Sequence, residues 1–187
     1  MKTNMKILAS VLVALAGAGF AYQSSQQDGR QAGDKGFEVV SKESANALEV
    51  IRFPFGGEAF AFEVADDLPS IQKGLSGRTE IPAGTGMLFI DDRARIQSYW
   101  MVDCLTDMDI AFVAPSGKVT AVHAMKKESP RAENEPIPVY HARLPRYSSN
   151  LPAKYAIETP PGTNKRLGIK PGTVIDIDWS AIDSLRE

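Results

Sequence analysis

Residues 97–119 read QSYWMVDCLTDMDIAFVAPSGKV, and the parsing of this run decides the fold. It holds the single cysteine of the chain, Cys104, together with Trp100, Asp103, Asp107 and Asp109. One parsing makes it a catalytic constellation; the other makes it core strand with acids at the ends. Alternation favours the second. Pro115-Ser116-Gly117 supplies turn chemistry, and the runs on either side alternate as hairpin arms do. Pairing Ala114 with Val119 sets Phe112 opposite Ala121, Ile110 opposite His123, Asp109 opposite Ala124 and Asp107 opposite Lys126. One face then carries Met108, Ile110, Phe112, Val119, Ala121, His123 and Met125, and the other Ala111, Val113, Thr120 and Val122. A hairpin apolar on both faces belongs inside a barrel or a sheet covered on both sides.

Working outward, ALEVIRFPFGGEAFAFEVA (47–65) gives a second hairpin about Gly56-Gly57. If Phe55 faces Glu58, then Phe53 opposes Phe60 and Ile51 opposes Phe62, so one face is aromatic and must be buried. Pro54 has no N–H for a ladder, which predicts an edge position. In DDLPSIQKGLSGR (66–78), Asp66 or Asp67 caps a short helix near Pro69 that Gly74 or Gly77 closes. GMLFI (86–90) and QSYWM (97–101) read as strands, with DDRARI between them as a turn. Residues 127–153 hold five prolines and little periodicity, the mark of a functional lid or a mobile loop. KYAIETP resumes regular structure, PGTNKRLG suits a helical turn or two ending at Gly168, and IKPGTVIDIDW reads as a turn and a last strand. Ile175, Ile177 and Trp179 share a face of that strand. The expectation is an α+β, mainly β domain over residues 46–179. It has about seven strands in a compact barrel-like or covered sheet, two short helices, and a tail at 180–187.

The N-terminus reads differently. Lys2 and Lys6, the apolar stretch Ile7 to Phe20 and the small residues up to Ala21 form the three parts of a secretory signal over residues 1–21. The stretch is about fourteen residues, short of the roughly 20 a membrane-spanning helix needs. An uncleaved anchor is the competing reading, and no cysteine follows to carry a lipid. Residues 22–45 are rich in Ser, Gln, Gly and charge and read as a flexible tether in which FEVV forms at most a short strand. The expectation is an exported protein, periplasmic or extracellular, with no membrane span in the mature chain. Removing residues 1–21 takes two lysines and no acid, moving the net charge from −2 to −4. Such a balance gives nucleic acid no basic face.

Chemical signatures are sparse. Cys104 stands alone, so no internal disulfide forms. It reads as a small buried hydrophobe rather than a reactive thiol, since no His, Lys or Arg flanks it. There is no P-loop and no G-x-S-x-G elbow, and His123, His141 and Cys104 are too few and too scattered for zinc. No metal and no cofactor are expected.

Six short motifs occur in order: GLSGR (74–78), GMLF (86–89), WM (100–101), DIAF (109–112), PAKYAIE (152–158) and GIKPG (168–172). Together they resemble the domain of unknown function 192 family, small bacterial and archaeal proteins that often carry an export signal. The resemblance spans roughly residues 58–175 and implies a compact, strand-rich domain with no established activity. It departs from the family after Trp-Met, where Val102, Asp103 and Cys104 replace Lys-Asn-Thr, and at Asp107-Met108-Asp109, where members read Pro-Leu-Asp.

The candidate site residues follow. Asp109 lies at the entrance to an apolar run, where a carboxylate needs a partner. Arg78 is the expected one, in a buried clamp; the functional alternative makes Asp109 a polar floor beside Trp100. The segment 127–153 gathers Tyr140, His141, Arg143, Arg146 and Tyr147, aromatic faces and guanidinium forks that suit sugars or carboxylates. The expectation is a non-catalytic module binding a small molecule, glycan or peptide of the cell envelope through Arg78, Trp100, Asp109, Arg146 and Tyr147. The alternatives are an envelope hydrolase or lyase using Asp109 and His123, whose opposite strand faces count against it, and a module that pairs through a sheet edge.

Overall fold

The computed structural model describes residues 36–41 and 47–186; the predicted signal and most of the predicted tether lie outside the described residues. In chain order the elements are β1 (Glu38–Ser41), β2 (Val50–Phe55), β3 (Glu58–Ala65), α1 (Leu68–Lys73), β4 (Thr85–Arg95), β5 (Ser98–Tyr99), β6 (Met108–Val113) and β7 (Val119–Met125). They continue with α2 (Ile137–Arg143), β8 (Tyr147–Ser148), β9 (Ala153–Thr159), α3 (Thr163–Leu167) and α4 (Trp179–Asp183). Seven strands form one sheet in the order β1-β2-β3-β4-β9-β6-β7, and β5 pairs with β8 separately. The β3–β4 pairing is parallel and the other pairings are antiparallel. The domain is α+β and mainly β, as its alternation predicts, but the sheet is open rather than barrel-like. Four helices, not two, lie among the described residues.

The two hairpins follow from side-chain period. Gly56 and Gly57 take φ of 61° and 87°, which an L side chain tolerates poorly, and the turn sets Phe53 against Phe60 and Ile51 against Phe62. Phe53 and Phe62 stack at 4.5 Å. That aromatic face buries Leu88, Ile90, Tyr155 and Ile157 with it, closed from below by Trp179 and Ile182 of α4. The opposite face, with Met87, Phe89, Met108, Ile110 and Phe112, lies under Leu75, Ile81 and Met101. Covered on both sides, β6 is buried along its whole length. At Gly86 a Cβ would lie 2.2 Å from the Glu158 carbonyl oxygen, so only glycine lets β4 and β9 approach this closely.

Four local expectations are corrected. Pro54 is not on an edge strand, because β1 covers β2; it lies beyond the covered residues Val50 to Arg52. Val113, not Ala114, opposes Val119, because a bulge at Thr120 adds a residue to β7. The expected last strand shrinks to a bridge between Lys118 and Val174. The Asp178 carboxylate then accepts from the Ser180 and Ala181 N–H groups at 3.1 and 3.0 Å, and this cap starts a helix at Trp179 instead. The segment 127–153 is folded: α2 and β8 form within it, and Arg143 bridges Glu135 at 2.8 Å and the Ser129 carbonyl at 2.9 Å. Among the described residues no helix is long and apolar enough to cross a membrane.

Candidate functional site

The sheet face under Leu75 and Met101 leaves one deep recess, built from local chain chemistry. Asp67 caps α1 by accepting from the Ser70 N–H at 2.7 Å, and Gly74 ends the helix with a positive φ. The chain is then pinned to the 100–104 loop. The Ser76 hydroxyl donates to the Val102 carbonyl at 2.8 Å, and the Gly77 N–H to the Asp103 carbonyl at 2.9 Å. Tyr140 of α2 holds the same loop, accepting from the Asp103 N–H at 3.0 Å. Between this assembly and β4, β5 and β9 lies a cavity of about 360 Å³.

Its walls are aromatic and its floor is acidic. Phe89, Tyr99 and Trp100 line it, Phe89 and Tyr99 meeting edge to face at 5.3 Å. Arg146 stacks on Trp100 with its guanidinium carbon 3.7 Å from the ring centre, and His141 packs on the same indole at 4.6 Å. Glu158 of β9 lines the cavity although the residue is only 5 % exposed, and no described group donates a hydrogen bond to its carboxyl. Burial pushes its pKa up to about 8, so it is mostly the neutral acid at pH 7. Asp91 is the opposite case. Burial opposes its ionisation, but the Asp92 side chain, the Arg95 guanidinium 2.5 Å away and, least, the Asp92 N–H together outweigh burial and hold its pKa down. Cys104 lines the cavity too, in a loop rather than a strand. Burial, and then the charge of Glu158, push its thiol up to about 11, so it stays protonated and unreactive. On the same wall Gln97 donates from Nε2 to the Ala153 carbonyl at 3.0 Å, while its buried Oε1 accepts nothing.

The model of the domain of unknown function 192 family, described as "Uncharacterized ACR", matches residues 51–177, more than half of the chain. The chain belongs to this family. Two solved structures are similar to the family member described here. One is a protein of unknown function from Novosphingobium aromaticivorans DSM 12444, with a TM-score of 0.56 and 24% identity over 73% of this chain and 91% of that one. The other is a protein from Sinorhizobium meliloti 1021 described as a candidate transcription regulator. It has a TM-score of 0.53 and 26% identity over 65% of this chain and 84% of that one. No curated protein matches.

Of the residues that the sequence of this family member singles out, Trp100 lines the cavity and Arg146 stacks on it. The Asp109–Arg78 clamp does not exist. Arg78 forks onto Glu63 at 2.6 and 2.7 Å, while Asp109 accepts from the Gly162 and Asn164 N–H groups at 3.1 and 2.8 Å, capping α3. The backbone of α3 supplies the donors that the sequence reading sought in Arg78. Tyr147 pairs with Tyr99 between β8 and β5, with its ring 5.5 Å from His123. The His123 Nε2 lies 2.7 Å from the Ser148 carbonyl, so Asp109 and His123 each have separate partners and do not face one another. Asp91, read as a turn residue, sits within β4. Glu158 was missed, yet it carries the signal that flagged Asp109, an acid inside an apolar alternating strand.

Proposed function

We propose that this protein is an exported, non-catalytic module that binds a small molecule of the cell envelope, a sugar or a short peptide, in the cavity lined by Trp100 and Glu158. The observation that carries the reading is a cavity of about 360 Å³ with aromatic walls and one unpaired buried acid. Ligand sites commonly enclose about 300–1,000 Å³, with apolar walls and a few polar groups that fix orientation. This cavity suits one sugar ring or one amino-acid unit. Aromatic faces stack on the C–H faces of a sugar, and Arg146 braces the Trp100 indole that would do so. The absence of catalysis is supported by the state of the nucleophiles and bases nearby. The Cys104 thiol is protonated, Asp91 is engaged by Arg95, and neither histidine lines the cavity.

A thermal-shift screen against envelope monosaccharides and di- and tripeptides tests the reading. A hit should stabilise the wild-type protein, and Trp100→Ala should weaken its binding at least about tenfold, the loss of one stacked ring. A hit that stabilises both proteins equally sits elsewhere. Export rests on Lys2, Lys6 and the small residues before Tyr22. Material recovered outside the cytoplasm should begin near Tyr22 on N-terminal sequencing; an intact Met1 on cytoplasmic material would reject it.

A further inference from the structure

We infer that the cavity selects ligands carrying a primary ammonium group, which Glu158 receives as a carboxylate while Phe89, Tyr99 and Trp100 enclose the body of the molecule. The inference rests on the binding reading above and adds the ligand's chemistry.

The argument is one of unmet hydrogen bonds. Two buried side chains on the cavity wall lack a full set of partners, Glu158 at 5 % exposure and Gln97 at 2 %. Donation from Nε2 of Gln97 to Ala153 fixes which end of the amide is which, so its unmet atom is the acceptor Oε1. The carboxyl of Glu158 receives no donor from any described group. The Gln97 oxygen is sealed from the cavity, so the unmet group a ligand can reach is the Glu158 carboxyl, to which an ammonium brings N–H donors and no acceptor.

The charged and titratable neighbours agree with a cation. From β4, Asp91 and Arg95 neutralise each other at 2.5 Å. From α1, Lys73 is exposed at the rim. From β5 and the following loop, Tyr99 and Cys104 are both neutral, and the charge of Glu158 raises the pKa of each. On the Trp100 wall the Arg146 guanidinium stays positive and covers the indole at 3.7 Å, so the ammonium is placed at the Glu158 floor, where the nearby Arg95 is paired with Asp91. The aromatic walls favour a cation as well, through their negative ring faces.

Binding is then linked to a proton. The neutral Glu158 acid gives up its proton to solvent, and the resulting carboxylate holds the ligand's ammonium, which keeps all three of its protons. Affinity should therefore fall about tenfold for each pH unit below the Glu158 titration, and about one proton should be released per ligand in neutral solution.

Isothermal titration of the full chain tests this with two matched pairs of probes. D-glucosamine against D-glucose examines a sugar body, and cadaverine against pentanediol examines an aliphatic one. The expected result is an amine that binds at least about tenfold more tightly than its matched alcohol. Proton release should show when the titration is repeated in buffers of different ionisation enthalpy. Glu158→Gln should erase both the difference between amine and alcohol and the proton release, and the pH series on the wild-type protein needs no variant at all. Whichever pair responds names the body. Equal binding of amine and alcohol in both pairs, or an amine affinity independent of pH, overturns the ammonium inference and leaves the binding cavity standing. No binding by any probe overturns it too, and if no member of the envelope screen depends on Trp100, the cavity reading falls with it.

Discussion

Asp109→Ala should destabilise the fold by about 3–5 kcal/mol, although Asp109 touches no part of the candidate cavity. The residue is 3 % exposed, and its two carboxylate oxygens accept from Gly162 and Asn164 at 3.1 and 2.8 Å. Truncation strands two N–H groups in the interior, at about 1–3 kcal/mol each, and loosens α3 from β6. Asn164 ties the same junction by donating from Nδ2 to the Ile110 carbonyl at 3.0 Å. Asp109→Asn keeps one acceptor and should cost roughly half as much. Arg78→Ala provides the contrast. Its side chain is 37 % exposed and paired with Glu63, so the loss should stay under about 1 kcal/mol. Urea midpoints of the three variants check the set. Equal losses for Arg78→Ala and Asp109→Ala would mean that the two residues depend on each other after all.

Glu158→Gln should be the more stable protein in alkaline solution. The carboxyl titrates at about 8 in the folded chain and near 4.5 when exposed. Below the lower value both states are protonated and the wild type pays nothing. Between the two values the unfolded chain ionises while the folded one does not, so wild-type stability falls as pH rises. Above the upper value both are ionised and the penalty is complete, on the order of 4–5 kcal/mol. Glutamine keeps the shape without the ionisation, so the difference between variant and wild type isolates this one group. Urea midpoints should nearly coincide below about pH 4.5, draw apart progressively between about 4.5 and 8, and keep a constant gap above that. Parallel curves would mean that the carboxyl is solvated.

Where the sequence was legible, side-chain period was the reason. The alternation of β2 with β3 about two glycines, and of β6 with β7 about Pro115-Ser116-Gly117, permits one register that buries the aromatic residues, and Phe53–Phe60 and Phe112–Ala121 pair accordingly. The failures share a different cause. Ile175, Ile177 and Trp179 alternate like a strand, but an Asp178 cap weighs more than three apolar positions. Pro136 and Pro138 look like helix breakers, yet the first turn of a helix needs no N–H there, and α2 starts on them. The partner of Asp109 lies more than fifty residues away in α3, and no local pattern announces a backbone donor. The cavity is harder still. Trp100 was visible as an aromatic beside an acid-rich loop, whereas Glu158 becomes unusual only when α1, β4 and the 100–104 loop close over it.

The strand order has a further consequence for how the sheet is assembled. β9 lies between β4 and β6, so it is the seam that joins β1–β4 to the β6–β7 hairpin. A chain emerging from the ribosome carries both pieces before it carries the seam. Until residues 153–159 arrive, β4 and β6 each present an open edge, and β6 is apolar on both faces. Local hairpins can form early, but the sheet closes only when its ninth strand slots into the middle, which makes the nascent chain most vulnerable to self-association just before completion.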